Sequence, residues 1–115
     1  MLPRELGLKL GLFGAESGLQ NQAFRHNLEE KWGIDAYNAN YGMSEVLSMI
    51  ASECRLKRGL HFRASDKLYI ELIDPYNGNL IPIEKGSRGE MVFTNLKKEA
   101  QPLIRYRSGD LVEII

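Results

Sequence analysis

Residues 6–41 read LGLKLGLFGAESGLQNQAFRHNLEEKWGIDAYNANY, and this stretch decides the fold. Its first part, LGLKLGLFGAE, is apolar and ends in a glycine turn, as expected of a strand buried on both faces. From Ser17 the spacing becomes helical, with apolar residues on one side and charged residues such as Arg25 mostly on the other. The apolar side consists of Leu19, Ala23, Phe24, Leu28 and Trp32. IDAYNANY then predicts a second strand. A strand, an amphipathic helix and a strand make a βαβ unit, so we expect two parallel strands and a right-handed crossover.

The ends of this helix carry their own signals. Two N-caps remain open, because Ser17 with Gln20 fits a capping box and Asn21 is a suitable N-cap by itself. Gly33 is well placed to end the helix.

After Ser52 the pattern changes to short β-rich runs. KLYIELIDP and LIPIE flank residues 74–78, a loop rich in turn formers, and therefore predict a hairpin. GEMVFTNL and PLIRYRSGDLVEII supply further strands. The predicted fold class is α/β: a partial βαβ unit, half of a parallel-sheet subdomain, in residues 1–52. An antiparallel, partly barrel-like β subdomain follows in residues 53–115.

Composition restricts the function classes. Fifteen basic and fifteen acidic residues leave no net charge, so nucleic acid is a poor candidate partner. The apolar stretches are too short for a bilayer, and the N-terminus lacks the order of regions in a signal peptide. The single cysteine, Cys54, cannot form an internal disulfide. We therefore expect a cytoplasmic protein with no membrane partner, and the apolar end at Ile114 and Ile115 suggests a fragment of a longer chain.

Two motifs fall where ligands gather in parallel sheets, beyond the carboxyl ends of the strands. They are GAE, residues 14–16, and YGMSE, residues 41–45. YGMSE has a structural interpretation, in which the tyrosine packs, the glycine turns the chain and Ser44 with Glu45 begins a helix. In the functional interpretation the tyrosine ring stacks on a base, the glycine admits a ligand, Ser44 meets a phosphate or carboxylate and Glu45 binds Mg²⁺.

YRSGD, residues 106–110, is equally open. Asp110 follows a glycine turn and could accept hydrogen bonds from the hydroxyls of a ribose. Alternatively the stretch is a plain turn, because Ser-Gly-Asp is a common turn sequence.

The ordered set GAE, YGMSE, GSRGEMVFT and PLIRYRSGD resembles the motifs of the adenylate-forming enzymes, which include Y-G-x-[ST]-E, G-E-[LM] and Y-[RK]-[ST]-G-D. Within that superfamily, ECRLKRGLHF, IELIDPYNGNLIP and KEAQPLIRYRSGD most resemble phenylacetate-coenzyme A ligase and its coenzyme F390 synthetase-like relatives. The resemblance covers about residues 8–115.

This resemblance implies an AMP-forming ligase that activates an aryl carboxylic acid, such as phenylacetate, as acyl-AMP and transfers it to coenzyme A. The implied cofactors are ATP or AMP, Mg²⁺ and coenzyme A. The implied catalytic residues are Ser44, at the phosphate or acyl carboxylate, and Glu45, which would hold Mg²⁺. The implied cofactor-binding residues are Gly14, Ala15, Glu16, Asn40 and Tyr41 around adenine, Gly42 and Met43 at the border of the acyl pocket, and Asp110 at the ribose. Residues 1–52 would then carry the adenine and Mg²⁺ motifs, and residues 53–115 would end in the ribose-binding strand.

The sequence also departs from the family pattern. A Gly/Ser/Thr-rich phosphate loop ending in lysine is absent, as are the hinge and the late catalytic lysine, so we expect the isolated chain to be inactive. We also expect it to expose apolar surface and to form a homodimer or otherwise self-associate. Two alternatives stay open: another adenylating enzyme, which adenylylates a cofactor or passes an acyl group to a carrier, and a noncatalytic nucleotide-binding or interaction remnant.

Two further features have competing interpretations. Cys54 and His61 match a C…GLH pattern that some relatives use for a structural zinc with a downstream Cys-x-Cys, and the alternative is a buried thiol with an ordinary histidine. The basic stretch LKRGLHFR, residues 56–63, either meets coenzyme A phosphates or is a solvated loop, and we favour the loop.

Overall fold

The computed structural model describes residues 1–15 and 18–115. The chain forms two compact units, residues 1–63 and residues 64–115, which are described separately. The boundary lies later than the expected one after residue 52, because a short strand at residues 60–62 pairs with the first unit. A 3-10 helix, Pro3–Leu6, precedes the main elements. These are β1 (Leu10–Gly14), α1 (Gln22–Trp32), β2 (Asp35–Met43), β3 (Leu47–Glu53), β4 (Leu60–Phe62), β5 (Leu68–Ile73), β6 (Leu80–Ile81), β7 (Arg88–Asn95) and β8 (Tyr106–Glu113).

The first unit contains the predicted βαβ arrangement. Its four-stranded sheet has the order β1-β2-β3-β4, with β1 and β2 parallel and the remaining pairs antiparallel. Asn21 is the N-cap of α1, since its Oδ1 accepts a hydrogen bond from the Phe24 N–H at 3.1 Å, while the rival Ser17 lies outside the described residues. Gly33 ends the helix with φ +67°, and its N–H donates to the Glu29 carbonyl at 2.8 Å. The α/β prediction is confirmed for this unit.

The expectation of a helix beginning at Ser44 is wrong. Residues 41–43 belong to β2, residues 44–46 form a turn, and the chain returns as β3, with Tyr41 opposite Ala51 and Met43 opposite Leu47. The Val46 N–H closes the turn on the Met43 carbonyl at 3.3 Å. Serine is as suitable in a turn as at a helix start, and the apolar residues that follow can pair as a strand.

The faces of α1 also differ from the helical pattern. Arg25, expected on the solvent side, is 3% exposed, whereas Phe24 is 53% exposed. Arg25 can be buried because its guanidinium is paired: Nη2 lies 2.6 Å from Glu53 Oε1, and Nε donates to the Leu19 carbonyl at 2.9 Å.

The second unit is an open, four-stranded antiparallel sheet with the order β6-β5-β7-β8, not a closed barrel. The predicted hairpin joins β5 to β6. In its loop Asp74 Oδ1 accepts from the Tyr76 N–H at 2.8 Å and from the Asn77 N–H at 3.2 Å, and Gly78 supplies φ +74°. Apolar side chains of β5 and β7 form the core of this unit: Leu68, Leu72, Ile73, Met91, Val92 and Phe93.

Among the described residues, no helix has both the length and the apolar character needed to cross a membrane.

Candidate functional site

The carboxyl ends of β1 and β2 approach each other unusually closely. The parallel register runs from Phe13 opposite Asn38 to Gly14 opposite Asn40, so β2 has one additional residue, Ala39, at this step. A Cβ on Gly14 would lie 3.0 Å from Asn40 Cβ and 3.2 Å from the Asn40 carbonyl oxygen. The structure thus places the start of GAE beside the strand that carries YGMSE, and glycine permits the approach. Ala15 follows with φ +68°, and Glu16 lies outside the described residues.

Asn40 carries an unsatisfied polar atom. In the described part of the chain, its buried Oδ1 has no hydrogen-bond partner. Leaving a buried acceptor unpaired costs about 1–3 kcal/mol, so a donor supplied by a ligand would be favoured there. An exocyclic amine of a nucleotide base is one such donor.

The remaining residues of YGMSE form the end of β2 and the turn after it. Tyr41, Gly42 and Met43 are half-buried in the strand, and Ser44 and Glu45 are exposed at the turn. A hydroxyl and a carboxylate on an exposed turn can meet a charged ligand without a large loss of hydration. Gly42 lies directly against the backbone of β3.

Metal binding has limited support in this geometry. Residues 1–15 and 18–115 contain no cluster of three or more His, Cys, Asp or Glu side chains that could hold an ion. A single carboxylate such as Glu45 still suits Mg²⁺, which commonly combines one or two carboxylates with water and substrate phosphates. Zinc needs about four ligands. His61 lies opposite Ser52 in the pairing of β3 with β4, and Cys54 follows β3 as a free thiol. The described residues do not add the further ligands that a zinc site with Cys54 and His61 would need.

A buried ion pair links α1 to β2 and β3. The side chains of Arg25 and Glu53 are 3% and 5% exposed. The second carboxylate oxygen of Glu53 accepts from the Asn38 N–H at 2.8 Å, two residues before Asn40. No pattern in the sequence indicates a role for Glu53, and helical spacing predicts the wrong side of α1 for Arg25, because the two partners lie 28 positions apart.

The basic stretch of residues 56–63 is tied to its own unit through Lys57. Lys57 Nζ binds Glu29 Oε1 at 2.8 Å, pairs with Asp35 Oδ1 and lies 4.5 Å from the centre of the Tyr37 ring. Burial lowers the pKa of Lys57, but its hydrogen bonds to Asp35 and Glu29 outweigh burial and raise it. The same contacts lower the pKa values of both carboxyls. Two carboxylates therefore already neutralise this cation. The favoured loop interpretation is wrong for residues 60–62, which form β4 and pair with β3.

In the second unit, Asp110 lies on a bulge of β8. The antiparallel register passes from Glu90 opposite Leu111 to Val92 opposite Arg107, which leaves residues 108–110 outside regular pairing. Gly109 has φ +76°, and Asp110 is exposed. Beneath the bulge lies Glu90, only 4% exposed, and the Arg107 guanidinium lowers the pKa of its carboxyl. The predicted ribose-binding residue thus projects from an ordered irregularity of the sheet.

Several known proteins that are similar to this chain are named as ligases. It is 44% identical to the phenylacetate-coenzyme A ligase of Aromatoleum evansii and 40% identical to that of Pseudomonas putida, in each case over 98% of the chain and 25% of the relative. Its fold matches the crystal structure of an open conformation of 2-hydroxyisobutyryl-CoA ligase in complex with 2-HIB-AMP and CoA, with a TM-score of 0.78 and 33% identity over 96% of this chain and 25% of that one.

The sequence matches no family model. The chain spans about a quarter of the length of these relatives, so the alignments compare one segment of a longer ligase.

Proposed function

Because this chain is homologous along nearly its whole length to a segment of the phenylacetate-coenzyme A ligases of the adenylate-forming superfamily, we propose that it supplies part of the ATP site of such an enzyme. The enzyme would join an aryl carboxylic acid, of the phenylacetate class, to AMP and then to coenzyme A. The observation that carries this proposal is the junction of β1 and β2, where Gly14 meets Asn40, Asn40 Oδ1 lacks a partner and Tyr41 follows.

The proposed roles are those that the resemblance to the adenylate-forming enzymes implies. The edge of the adenine is lined by Gly14, Ala15 and Glu16. The Asn40 segment accepts a hydrogen bond from the amino group of the base, and the Tyr41 ring stacks on the face of the base. Gly42 and Met43 border the acyl pocket. The proposed role of Asp110, which the resemblance implies, is to accept hydrogen bonds from the ribose hydroxyls.

In the first step, a carboxylate oxygen of the acid attacks the α-phosphorus of ATP, and the bond from that phosphorus to the bridging oxygen of pyrophosphate breaks. In the second step, the coenzyme A thiol loses its proton, its sulfur bonds to the acyl carbon, and AMP leaves. Neither step needs a nucleophilic side chain, so catalysis consists of positioning and of neutralising phosphate charge. Ser44 would donate to the phosphate or acyl carboxylate. Glu45 would hold Mg²⁺, which supplies that neutralising charge.

The test is acid-dependent exchange between ATP and pyrophosphate, measured on the full-length protein with phenylacetate and a panel of aromatic and aliphatic acids. We expect exchange to rise with phenylacetate and to fall by about 100-fold or more in Glu45→Gln, since oriented charge stabilisation of this kind contributes about that much. Glu30→Gln is the matched control, because Glu30 is 72% exposed and pairs with the exposed His26 on α1.

Exchange that is unchanged in Glu45→Gln would remove Glu45 from the metal site. A folded protein that shows no exchange with any acid would contradict acid activation, and would favour the noncatalytic remnant. Exchange without coenzyme A acylation would favour the other alternative, an adenylating enzyme with a different acceptor.

We also propose that the isolated chain self-associates, through the exposed apolar residues of β1. Leu10 and Leu12 are 54% and 65% exposed, and β1 pairs with β2 alone among the described strands. We expect sedimentation velocity to show dimers or larger species, and fewer of them in Leu12→Lys than in the control Leu80→Lys, which changes an equally exposed leucine of the second unit. A monomer at all concentrations would contradict this proposal.

The intact enzyme would work in the cytoplasm, where a free thiol such as Cys54 stays reduced.

A further inference from the structure

The bulge that carries Asp110 is held from below by a buried carboxylate. Glu90 lies on β7, and its Oε1 accepts from the Gly109 N–H at 3.1 Å. Both its oxygens accept from Arg107 Nε at 3.2 Å, and its Oε2 lies 2.5 Å from Arg107 Nη2. One carboxylate therefore fixes the residue before the bulge and the glycine at its centre.

Two more contacts complete the support. The Ser108 hydroxyl donates to the Met91 carbonyl at 2.7 Å and accepts from the Asp110 N–H at 3.1 Å. The Arg107 guanidinium also donates to the Pro75 carbonyl at 2.9 Å, in the loop after β5. Every residue from 107 to 110 thus has a hydrogen bond that defines its position, although the regular sheet pairing is interrupted there.

We propose that Glu90 is a positioning residue for Asp110: its buried carboxylate holds the bulge of residues 108–110 so that the Asp110 side chain meets the two ribose hydroxyls of ATP. This inference rests on the proposed function, because it needs Asp110 at the ribose. Glu90 does not touch the nucleotide and acts through the backbone of the bulge.

The buried charge has a physical reason, which is that the direction of the Asp110 side chain depends on the backbone of the bulge. In a regular antiparallel strand the side chains alternate between the two faces, so the direction of a single carboxylate could not be changed independently. The bulge turns Asp110 out of that alternation, and it needs a partner for the Gly109 N–H that regular pairing no longer supplies. A carboxylate is the strongest available acceptor, and Arg107 balances its charge.

The chain contains a matched pair that lacks this connection. Arg88 Nη2 and Glu113 Oε2, 2.8 Å apart, also join β7 to β8, but they belong to the terminal, regularly paired residues of the ladder and have exposed side chains. Glu113→Gln therefore removes the same kind of interaction between the same two strands without touching the bulge.

The experiment compares the binding of ATP with that of 2′-deoxy-ATP and 3′-deoxy-ATP to the full-length protein by titration calorimetry. A hydrogen bond to a carboxylate predicts a preference for ATP of about tenfold or more over each deoxy analogue. We expect Asp110→Asn to reduce this preference strongly, Glu90→Gln to bring it close to the Asp110→Asn value, and Glu113→Gln to leave it unchanged. Glutamine keeps an oxygen for the Gly109 N–H but presents an amide to Arg107, so the bulge loses its alignment.

The preference separates positioning from plain destabilisation, because a smaller folded fraction weakens the binding of all three nucleotides equally. Should Glu90→Gln fail to fold, Ser108→Ala tests the same bulge through its second support, and we expect it to lower the preference as well.

If folded Glu90→Gln and Ser108→Ala proteins keep the wild-type preference, the positioning role is overturned. A wild-type protein that binds none of the nucleotides, or binds all three alike, contradicts the assigned ATP or ribose site itself. That result is distinct from the failure of Glu90 alone.

Discussion

Gly42→Ala is expected to lower the free energy of unfolding by about 3 kcal/mol or more, at the upper end of the cost of forcing atoms into a packed site. A Cβ at this position would lie 2.0 Å from the Ser48 carbonyl oxygen, 2.4 Å from its carbonyl carbon and 2.9 Å from the Leu47 carbonyl oxygen. All three are main-chain atoms of β3, so no side-chain rotation relieves the contact. The hairpin of β2 and β3 must open or shift, and it carries the proposed base-binding tyrosine.

Gly78→Ala is the control for this change. Gly78 has φ +74°, but a Cβ there meets nothing within 4 Å. Alanine should therefore cost only the strain of a left-handed residue, about 1–2 kcal/mol. Urea unfolding of the chain, monitored by circular dichroism, measures the free energy of unfolding of both variants. The two values can be compared when the dependence on urea concentration has a similar slope. Equal midpoints for Gly42→Ala and the wild type would show that β3 does not approach β2 as closely as the structure places it.

Arg25→Met is expected to lower the free energy of unfolding by about 3–5 kcal/mol, because it leaves Glu53 with a buried and uncompensated charge. The Glu53 side chain is 5% exposed, so water cannot replace the guanidinium without local opening. The affected carboxylate also holds the Asn38 N–H of β2, and we expect the loss to reach the strand that ends at the candidate site.

The double variant Arg25→Met/Glu53→Gln should recover most of that loss. Glutamine removes the orphaned charge while keeping an oxygen for the Asn38 N–H, and replacing both members of a buried pair is often nearly neutral. The interaction energy from the double-mutant cycle, measured by urea unfolding, is the decisive quantity. His26→Ala, at a residue whose side chain is 74% exposed, controls for a change on the adjacent helical position. Additive losses in the cycle would mean that Arg25 and Glu53 do not stabilise each other.

The parts of the fold that were predicted from sequence depend on local chemistry. The βαβ unit follows from an apolar run, a helical repeat and Gly33, and the second hairpin follows from the turn residues around Asp74 and Gly78. These signals lie within a few residues of the structure that they specify. The choice of Asn21 as N-cap shows the limit, because Asn21 and the rival cap at Ser17 were equally acceptable by residue type.

The rest depends on partners that are distant in the sequence. Arg25 is buried only because Glu53 meets it, and helical spacing carries no information about that partner. Glu90 belongs to the quoted G-E-[LM] pattern, yet its contact with Gly109 is visible only once the register of β7 and β8 is known. Ser44 and Glu45 form a turn and not the helix start of the structural interpretation, and residue type does not separate the two because the residues that cap helices also form turns. The roles of the individual site residues stay predictions until nucleotide binding is measured.

The additional residue in β2 at Ala39 is accommodated within one step of β1, so the strand pairing continues on both sides of it. Asn38 lies opposite Phe13 and Asn40 lies opposite Gly14, which are the pairs that a regular strand without Ala39 would also form. In comparisons of homologous ligases, a one-residue gap between residues 38 and 40 is therefore compatible with the same proposed base-binding surface. A one-residue gap elsewhere in β2 would instead turn the side chains that follow it to the other face of the sheet.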